Sequence, residues 1–166
     1  MEDAKCEHDA FLSHMLEKHA NTVYRIAVVY TKNLSDAEDV VQEVFLRLYQ
    51  SNNKFDNDEH VRAWLIRVTC NYCKSLLRSP WRRRVSTADL IAVAEDNPNS
   101  FSLVQAVLAL PQKYRGSIYL FYYEGYSTAE IAHILHQKEA TVRTHLARGR
   151  ALLKTNFVGG ADFDTQ

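Results

Sequence analysis

Apolar residues recur along this chain three and four positions apart, and no stretch alternates as a strand would, so the pattern predicts an all-α protein. From Asp9 to Lys32 a first helix carries Phe11, Met15, Val23, Ile26, Ala27 and Tyr30, and it stops at the polar residues Thr31 to Asn33. A second helix starts at Ser35, which makes a capping-box signature with Glu38 three residues on. It continues with Ala37, Val40, Val41, Val44, Phe45 and Leu48 in one apolar stripe. Beyond the polar loop Gln50 to Glu59, Val61, Trp64, Leu65, Val68 and Tyr72 share a face of a third helix that ends before Pro80. Trp64 is expected in the core. Three such stripes can close one interior.

From Ser79 to Ser100 the character changes: Pro80, the basic run Arg82-Arg83-Arg84, a short apolar patch from Leu90 to Val93, then the polar string Glu95 to Ser100. This reads as a flexible linker. Its residues would reach roughly 70 Å when extended, so the modules on either side need not touch. Helical patterning resumes from Phe101 to Leu110, breaks at Pro111, runs from Lys113 to Tyr123 and stops at Glu124-Gly125-Tyr126. Two more helices follow, Ser127 to Leu135 and about Glu139 to Phe157. The expected organisation is two small helical domains, residues 9–78 and 101–157, joined by 79–100 and followed by a frayed tail at 158–166.

Composition narrows the function classes. A hydrophobic content of 46% in 166 residues is enough for packed cores, which excludes a disordered chain. Twenty Lys plus Arg against twenty Asp plus Glu leave no net charge, so the molecule lacks a diffuse cationic field and any nucleic-acid contact must be local. Cys6, Cys70 and Cys73 are too few, and odd in number, for a secreted disulfide scaffold; a reducing cytoplasm fits better. Purely apolar runs such as Ile26 to Tyr30 are far short of the roughly 20 residues of a membrane span, and Met1 to Ala10 has no signal-peptide core. No membrane insertion is expected.

The strongest local signal lies between Ser127 and Leu153. Ser127 and Glu130 form a capping box, Ile131, Ala132 and Leu135 supply the inner face of a short helix, and a brief polar turn leads into a longer helix with Val142, Leu146, Gly149 and Leu153 inward. That is the layout of a helix-turn-helix. Outward lie Thr141, Arg143, Thr144, Ala147, Arg148 and Arg150, with Lys138 at the helix start. Such a face offers cations for phosphates and guanine edges, hydroxyls for either, and a small residue where the helix must approach a groove closely. The same arginines would also be consistent with a merely solvated helix face.

The string LPQKYRGSIYLFYYEGYSTAEIAHILHQKEATVRTHLARGRALL resembles the second conserved domain of bacterial sigma factors, and with the first module it identifies the chain as similar to the compact extracytoplasmic-function group. The matching features are Leu110-Pro111, Arg115, the Glu124-Gly125 break, Glu130-Ile131-Ala132, Thr141-Val142, and Arg148 with Arg150. The resemblance implies that this module reads the −35 promoter element, through Lys138, Thr141, Arg143, Thr144, Ala147, Arg148 and Arg150. His136 stands where the family usually has the turn glycine, so a histidine is expected to adopt the turn's conformation.

In the first module SDAEDVVQEVFLRLYQ places Asp39, Gln42 and Glu43 opposite the apolar stripe. The string resembles the polymerase-clamp-binding helix of sigma factors. The resemblance implies that these three meet basic residues of core RNA polymerase across a charge-complementary interface. In the third helix Arg67, Asn71, Lys74 and Arg78 recur three and four residues apart, and this stretch resembles the sigma element that contacts the −10 region. Opening a promoter requires a flipped base to be held while phosphates are neutralised, and the polar loop Asn53 to His60 beside this helix suits that task. Its acids Asp56, Asp58 and Glu59 would repel phosphates, so base contacts are expected from backbone or amides.

Cys70 and Cys73 have Cys-x-x-Cys spacing but sit within a helix near its apolar face, where packing is the expected role. His133 and His136 lack a third ligand, and nothing resembles a nucleophile with its base or a phosphate-cradling glycine loop. No enzymatic activity, cofactor, metal or small-molecule substrate is expected. The implied partners are core RNA polymerase, promoter DNA and an anti-sigma factor. The competing reading is a stand-alone dimeric helix-turn-helix regulator, and a third is a protein-interaction adaptor.

Overall fold

The computed structural model describes residues 1–79 and 105–156, and all regular structure among them is helical. The chain divides into two compact units, Met1–Val85 and Ser86–Gln166. Apart from Ser79 the segment read as a linker lies outside the described residues, as does the tail at 158–166.

The first unit packs three helices against one another: α1 Glu2–Thr31, α2 Leu34–Gln50 and α3 Asp58–Leu77. Its core is built from Met15, Val23 and Ile26 of α1, Val40, Val44 and Leu48 of α2, and Leu65, Ile66 and Cys73 of α3, all essentially inaccessible. α1 begins seven residues before the expected Asp9, at Glu2. Its first turns are exposed and therefore carry no apolar periodicity, while Glu2 and Asp3 in the first turn suit the positive end of the helix dipole. The helix closes on Lys32, which is left-handed at φ 54° and ψ 27° and donates its N–H to the Val28 carbonyl at 2.9 Å.

The cap of α2 differs from the expected one. Asn33, extended at φ −142° and ψ 123°, accepts from the Asp36 N–H at 3.0 Å, and the helix is already under way at Leu34, so Ser35 lies in its first turn. Asn57 caps α3 in the same way, accepting from the His60 N–H at 2.9 Å. The loop therefore ends at Asn57, and Asp58, Glu59 and His60 belong to α3. The buried face of α3 is also rotated from the expected stripe. Val61, Leu65, Ile66, Thr69, Cys70 and Cys73 face inward, while Trp64, Val68 and Tyr72 are half-buried at its border. Trp64 is thus not a core residue; its indole meets Phe55 edge-on with ring centroids 5.7 Å apart. Thr69 can enter the core because its hydroxyl donates to the Leu65 carbonyl at 2.6 Å, and the cysteines behave as small apolar groups.

The second unit contains a helical stretch at 105–108, then α4 Gln112–Tyr122, α5 Thr128–Leu135 and α6 Glu139–Asn156. Tyr114, Ile118 and Leu120 of α4, Ile131, Ile134 and Leu135 of α5, and Val142, Leu146 and Leu153 of α6 form its core. Gly149 permits α4 and α6 to approach: a Cβ there would stand 2.8 Å from Ile118 Cγ1. After α4, Gly125 at φ 74° turns the chain so that the Tyr126 N–H reaches the Leu120 carbonyl at 3.1 Å. No described helix is long and apolar enough to cross a membrane.

Candidate nucleic-acid interface

The expected capping box of α5 is present in full. Ser127 Oγ accepts from the Glu130 N–H at 3.2 Å, and Glu130 Oε2 accepts from the Ser127 N–H at 2.8 Å, which also holds the Glu130 carboxyl below its usual range. α5 ends on His136, left-handed at φ 51° and ψ 46° as expected of the turn position, and the next N–H, of Gln137, bonds back to the Ala132 carbonyl at 2.9 Å. The chain then re-enters helix after Lys138, whose carbonyl accepts from the Thr141 and Val142 N–H groups.

With Val142, Leu146, Gly149 and Leu153 turned inward, the opposite face of α6 is open. Lys138, Arg143, Thr144, Ala147 and Arg148 are exposed, and Thr141 is half-buried at the border. Arg150 is placed differently from the outer face expected of it: it lies half-buried on the flank, with Nη1 3.5 Å from the Tyr122 hydroxyl of α4. Sequence reasoning missed four residues that make three features: Lys113, Tyr114, and the pair Thr128 and Glu139. Lys113, exposed in the first turn of α4, lines one hollow with Tyr114, Ala140, Thr141, Thr144 and Arg148. Hydrogen bonds from Lys113 and then Arg148 hold the Tyr114 phenol below its usual pKa, so two cations converge there. Thr128 and Glu139 form the third feature: Glu139 Oε1 accepts from Thr128 Oγ1 at 2.7 Å and from Arg143 Nη2 at 2.6 Å. The i,i+4 spacing of Glu139 and Arg143 was readable as a pair, whereas the bond to Thr128 crosses the turn.

In the first unit Asp39 and Gln42 are exposed and Glu43 is half-buried, ion-paired to Arg47 at 2.8 Å. Arg47 in turn lies over the Tyr72 ring, 4.8 Å from its centroid. The same face carries an apolar residue the charge pattern does not reveal, Leu46, 48% exposed. On α3, Asn71 and Arg78 are exposed and Arg67 and Lys74 half-buried. The loop 51–57 borders a hollow lined by His8, Phe11, Asn52, Asn53 and Phe55, so amides stand at its wall. Of the acids that trouble a phosphate path, Asp58 is ion-paired with Lys18 of α1, a contact that lowers its pKa. Cys70 and Cys73 are both in the core, and burial pushes the Cys70 thiol up to about 11 and raises that of Cys73 as well.

These features define a two-module helical protein with an exposed basic recognition helix. The family description "Sigma-70 region 2" matches residues 15–83 and "Sigma-70, region 4" matches residues 100–153. The chain belongs to the sigma-70 family, in its extracytoplasmic-function group. Among curated relatives, it is 31% identical over 152 residues to the ECF RNA polymerase sigma factor SigE of Mycolicibacterium smegmatis, with 84% of this chain and 59% of that protein covered. It is 30% identical over 149 residues to the RNA polymerase sigma factor SigV of Bacillus subtilis, with 87% and 90% covered. It spans only 39% of the probable sigma factor RfaY of Xanthomonas campestris, at 33% identity over 159 residues and 87% of this chain. Among solved structures, CnrH in complex with the cytosolic domain of CnrY superposes with TM-score 0.65 at 25% identity, covering 87% of this chain and 86% of that one. The sigma factor RpoE in complex with the anti-sigma factor NepR, from Bartonella quintana, shares the fold at TM-score 0.67 and 18% identity, with 93% and 96% covered.

Proposed function

We propose that this chain directs promoter-specific initiation by RNA polymerase, as a cytoplasmic, non-enzymatic factor that lends the polymerase its recognition of −10 and −35 elements. In this reading residues 101–157 dock on −35 duplex and 9–78 engage core polymerase and −10 DNA. The observation that carries it is the open face of α6, where Lys138, Arg143, Thr144, Ala147 and Arg148 are exposed together on a capped helix-turn-helix. A helix bearing guanidinium forks, a hydroxyl and a bare methyl can lie in the major groove, the arginines taking guanine edges or phosphates and Ala147 allowing close approach. Thr141 and Arg150 at its borders reach backbone.

In the first unit Asp39, Gln42 and Glu43 supply the acidic side of a polymerase contact, and the exposed Leu46 beside them supplies apolar area that a purely electrostatic contact would lack. Arg67, Asn71, Lys74 and Arg78 of α3 line the path of the opened strand. An anti-sigma partner is supported by the similar structure of RpoE, which is a complex with the anti-sigma factor NepR; CnrH is likewise held in a complex, with the cytosolic domain of CnrY.

The test is reconstitution with bacterial core polymerase and a promoter library. R143A/R148A should lower promoter-specific transcripts by at least about tenfold per arginine while polymerase capture survives. D39A/E43A should weaken capture instead. Unchanged transcription by R143A/R148A would remove the assignment of α6.

A further inference from the structure

We propose that Glu139 is a positioning residue for promoter reading, holding Arg143 in a fixed presentation through a clasp that Thr128 completes; the inference rests on the −35 reading of α6. One carboxylate oxygen, Glu139 Oε1, serves both partners, the Thr128 hydroxyl at 2.7 Å and Arg143 Nη2 at 2.6 Å. Thr128 is the first residue of α5 and Glu139 the first of α6, so the clasp ties the opening turns of the two helices across the intervening turn. Arg143 sits four residues into α6 and is 66% exposed, so it is restrained at one nitrogen while the rest of its fork remains on the open face.

Two properties follow from that arrangement. A free arginine samples many rotamers and binds whichever phosphate is nearest, which strengthens binding to any duplex equally. An arginine already held by a carboxylate meets DNA with its fork preset, and the geometry that matches a guanine edge is favoured over a chance phosphate. The carboxylate also stands beside the DNA path as a negative charge, which penalises loose backbone binding. Its ionised form is secured by the Thr128 hydroxyl first and by the Arg143 charge after it, and the first turn of a helix is a favourable place for an acid. The pair is exposed, so its value lies in orientation rather than in holding the fold together.

The experiment uses the full chain with core polymerase and a library randomised at the −35 element, transcripts being counted for each sequence. E139Q keeps the hydrogen bond from Thr128 but loses the ion pair, and T128V loses the hydroxyl at nearly constant shape. Both should reduce the preference for the best −35 sequence by about tenfold at the base positions that R143A also relaxes. E139Q should also raise binding of the free chain to random duplex and steepen its salt dependence, while its thermal unfolding midpoint falls by no more than a few degrees, the loss expected of one exposed first-turn acid. T128S, which restores the hydroxyl, should return the wild-type profile. In the R143A background E139Q should have no further effect on base preference. The assignment is overturned by an E139Q profile superimposable on wild type, or by an equal E139Q effect with and without Arg143. A wild-type chain that does not initiate with core polymerase overturns the sigma reading itself, and the positioning role falls with it.

Discussion

His19 is an ionisable side chain only 5% exposed on α1, with no hydrogen-bond partner for its buried Nε2. Burial lowers its pKa below 6.5, and the neighbouring cations Lys18 of α1 and Arg62 of α3 lower it further against a smaller opposing pull from Asp58 and Glu59. The folded state therefore keeps His19 neutral to a lower pH than the unfolded chain does. Once the pH falls below 6.5 the unfolded chain takes up a proton that the folded chain refuses, so the stability this group contributes is present above 6.5 and is lost as the pH falls toward the lowered folded value. Unfolding free energies from denaturant titrations of the whole chain between pH 8 and pH 5 should fall with acid, by at most about 1.4 kcal/mol per pH unit from this one proton. H19L should flatten that slope in the transition of the first unit; equal slopes in the two proteins would show that His19 does not couple to folding. Periodicity alone places this residue inside, since His19 stands four residues from both Met15 and Val23 on the stripe that α1 buries; its polarity, between Lys18 and Ala20, is what argues for the surface.

Periodicity found the helices of both units but, outside the capping box of α5, missed how they start. The junction before α2 holds Thr31, Asn33 and Ser35, three side chains able to accept a backbone N–H, and Ser35 is the one with an acid three residues later. Thr31 donates to the Ala27 carbonyl at 2.8 Å and accepts from the Asn33 N–H at 3.3 Å rather than from an N–H of α2, and Asn33 receives the Asp36 N–H. Asn33→Ala should therefore cost about 1 kcal/mol of the first unit's stability, and Ser35→Ala, inside the helix and exposed, should be neutral or slightly stabilising. Urea unfolding of the two variants decides between the caps, because the Ser35 box predicts the reverse order. The rotation of α3 has a similar origin. Its apolar residues outnumber the places inside, and the interior went to Ile66, Cys70, Cys73 and a self-satisfied Thr69 while Trp64 and Tyr72 stayed at the rim. By contrast most of the α6 face was legible because its buried positions are all apolar or glycine; Arg150, half-buried on the flank against Tyr122, is the exception. The Thr128 to Glu139 clasp was not, since it joins side chains eleven residues apart across a turn.

Twenty cations balanced by twenty anions bear on how the two units act together. A chain with no net charge gathers no general attraction to DNA, and the exposed cations that the proposed function sets against duplex are few: Lys113 of α4, Lys138 in the turn, and Arg143 and Arg148 of α6. Neutralising three or four phosphates gives a salt slope of roughly −3, and an affinity in the micromolar range or weaker at about 150 mM salt. Promoter selectivity then needs a second attachment. Under the proposed function core polymerase would supply it by holding the first unit, so that binding of α6 would become effectively intramolecular and gain two or more orders of magnitude without any new contact to bases. The expected result of a titration is weak, salt-sensitive binding of the free chain to −35 duplex, and tight binding of the polymerase complex to DNA carrying both elements at their native separation, lost when that separation is changed by half a helical turn. A dimeric regulator built on the same helix-turn-helix would instead protect a palindrome by itself, with half-sites about one turn apart. Footprinting the free chain and the polymerase complex on the same fragment separates the two, and a symmetric footprint from the free chain at nanomolar concentration would exclude the sigma mechanism.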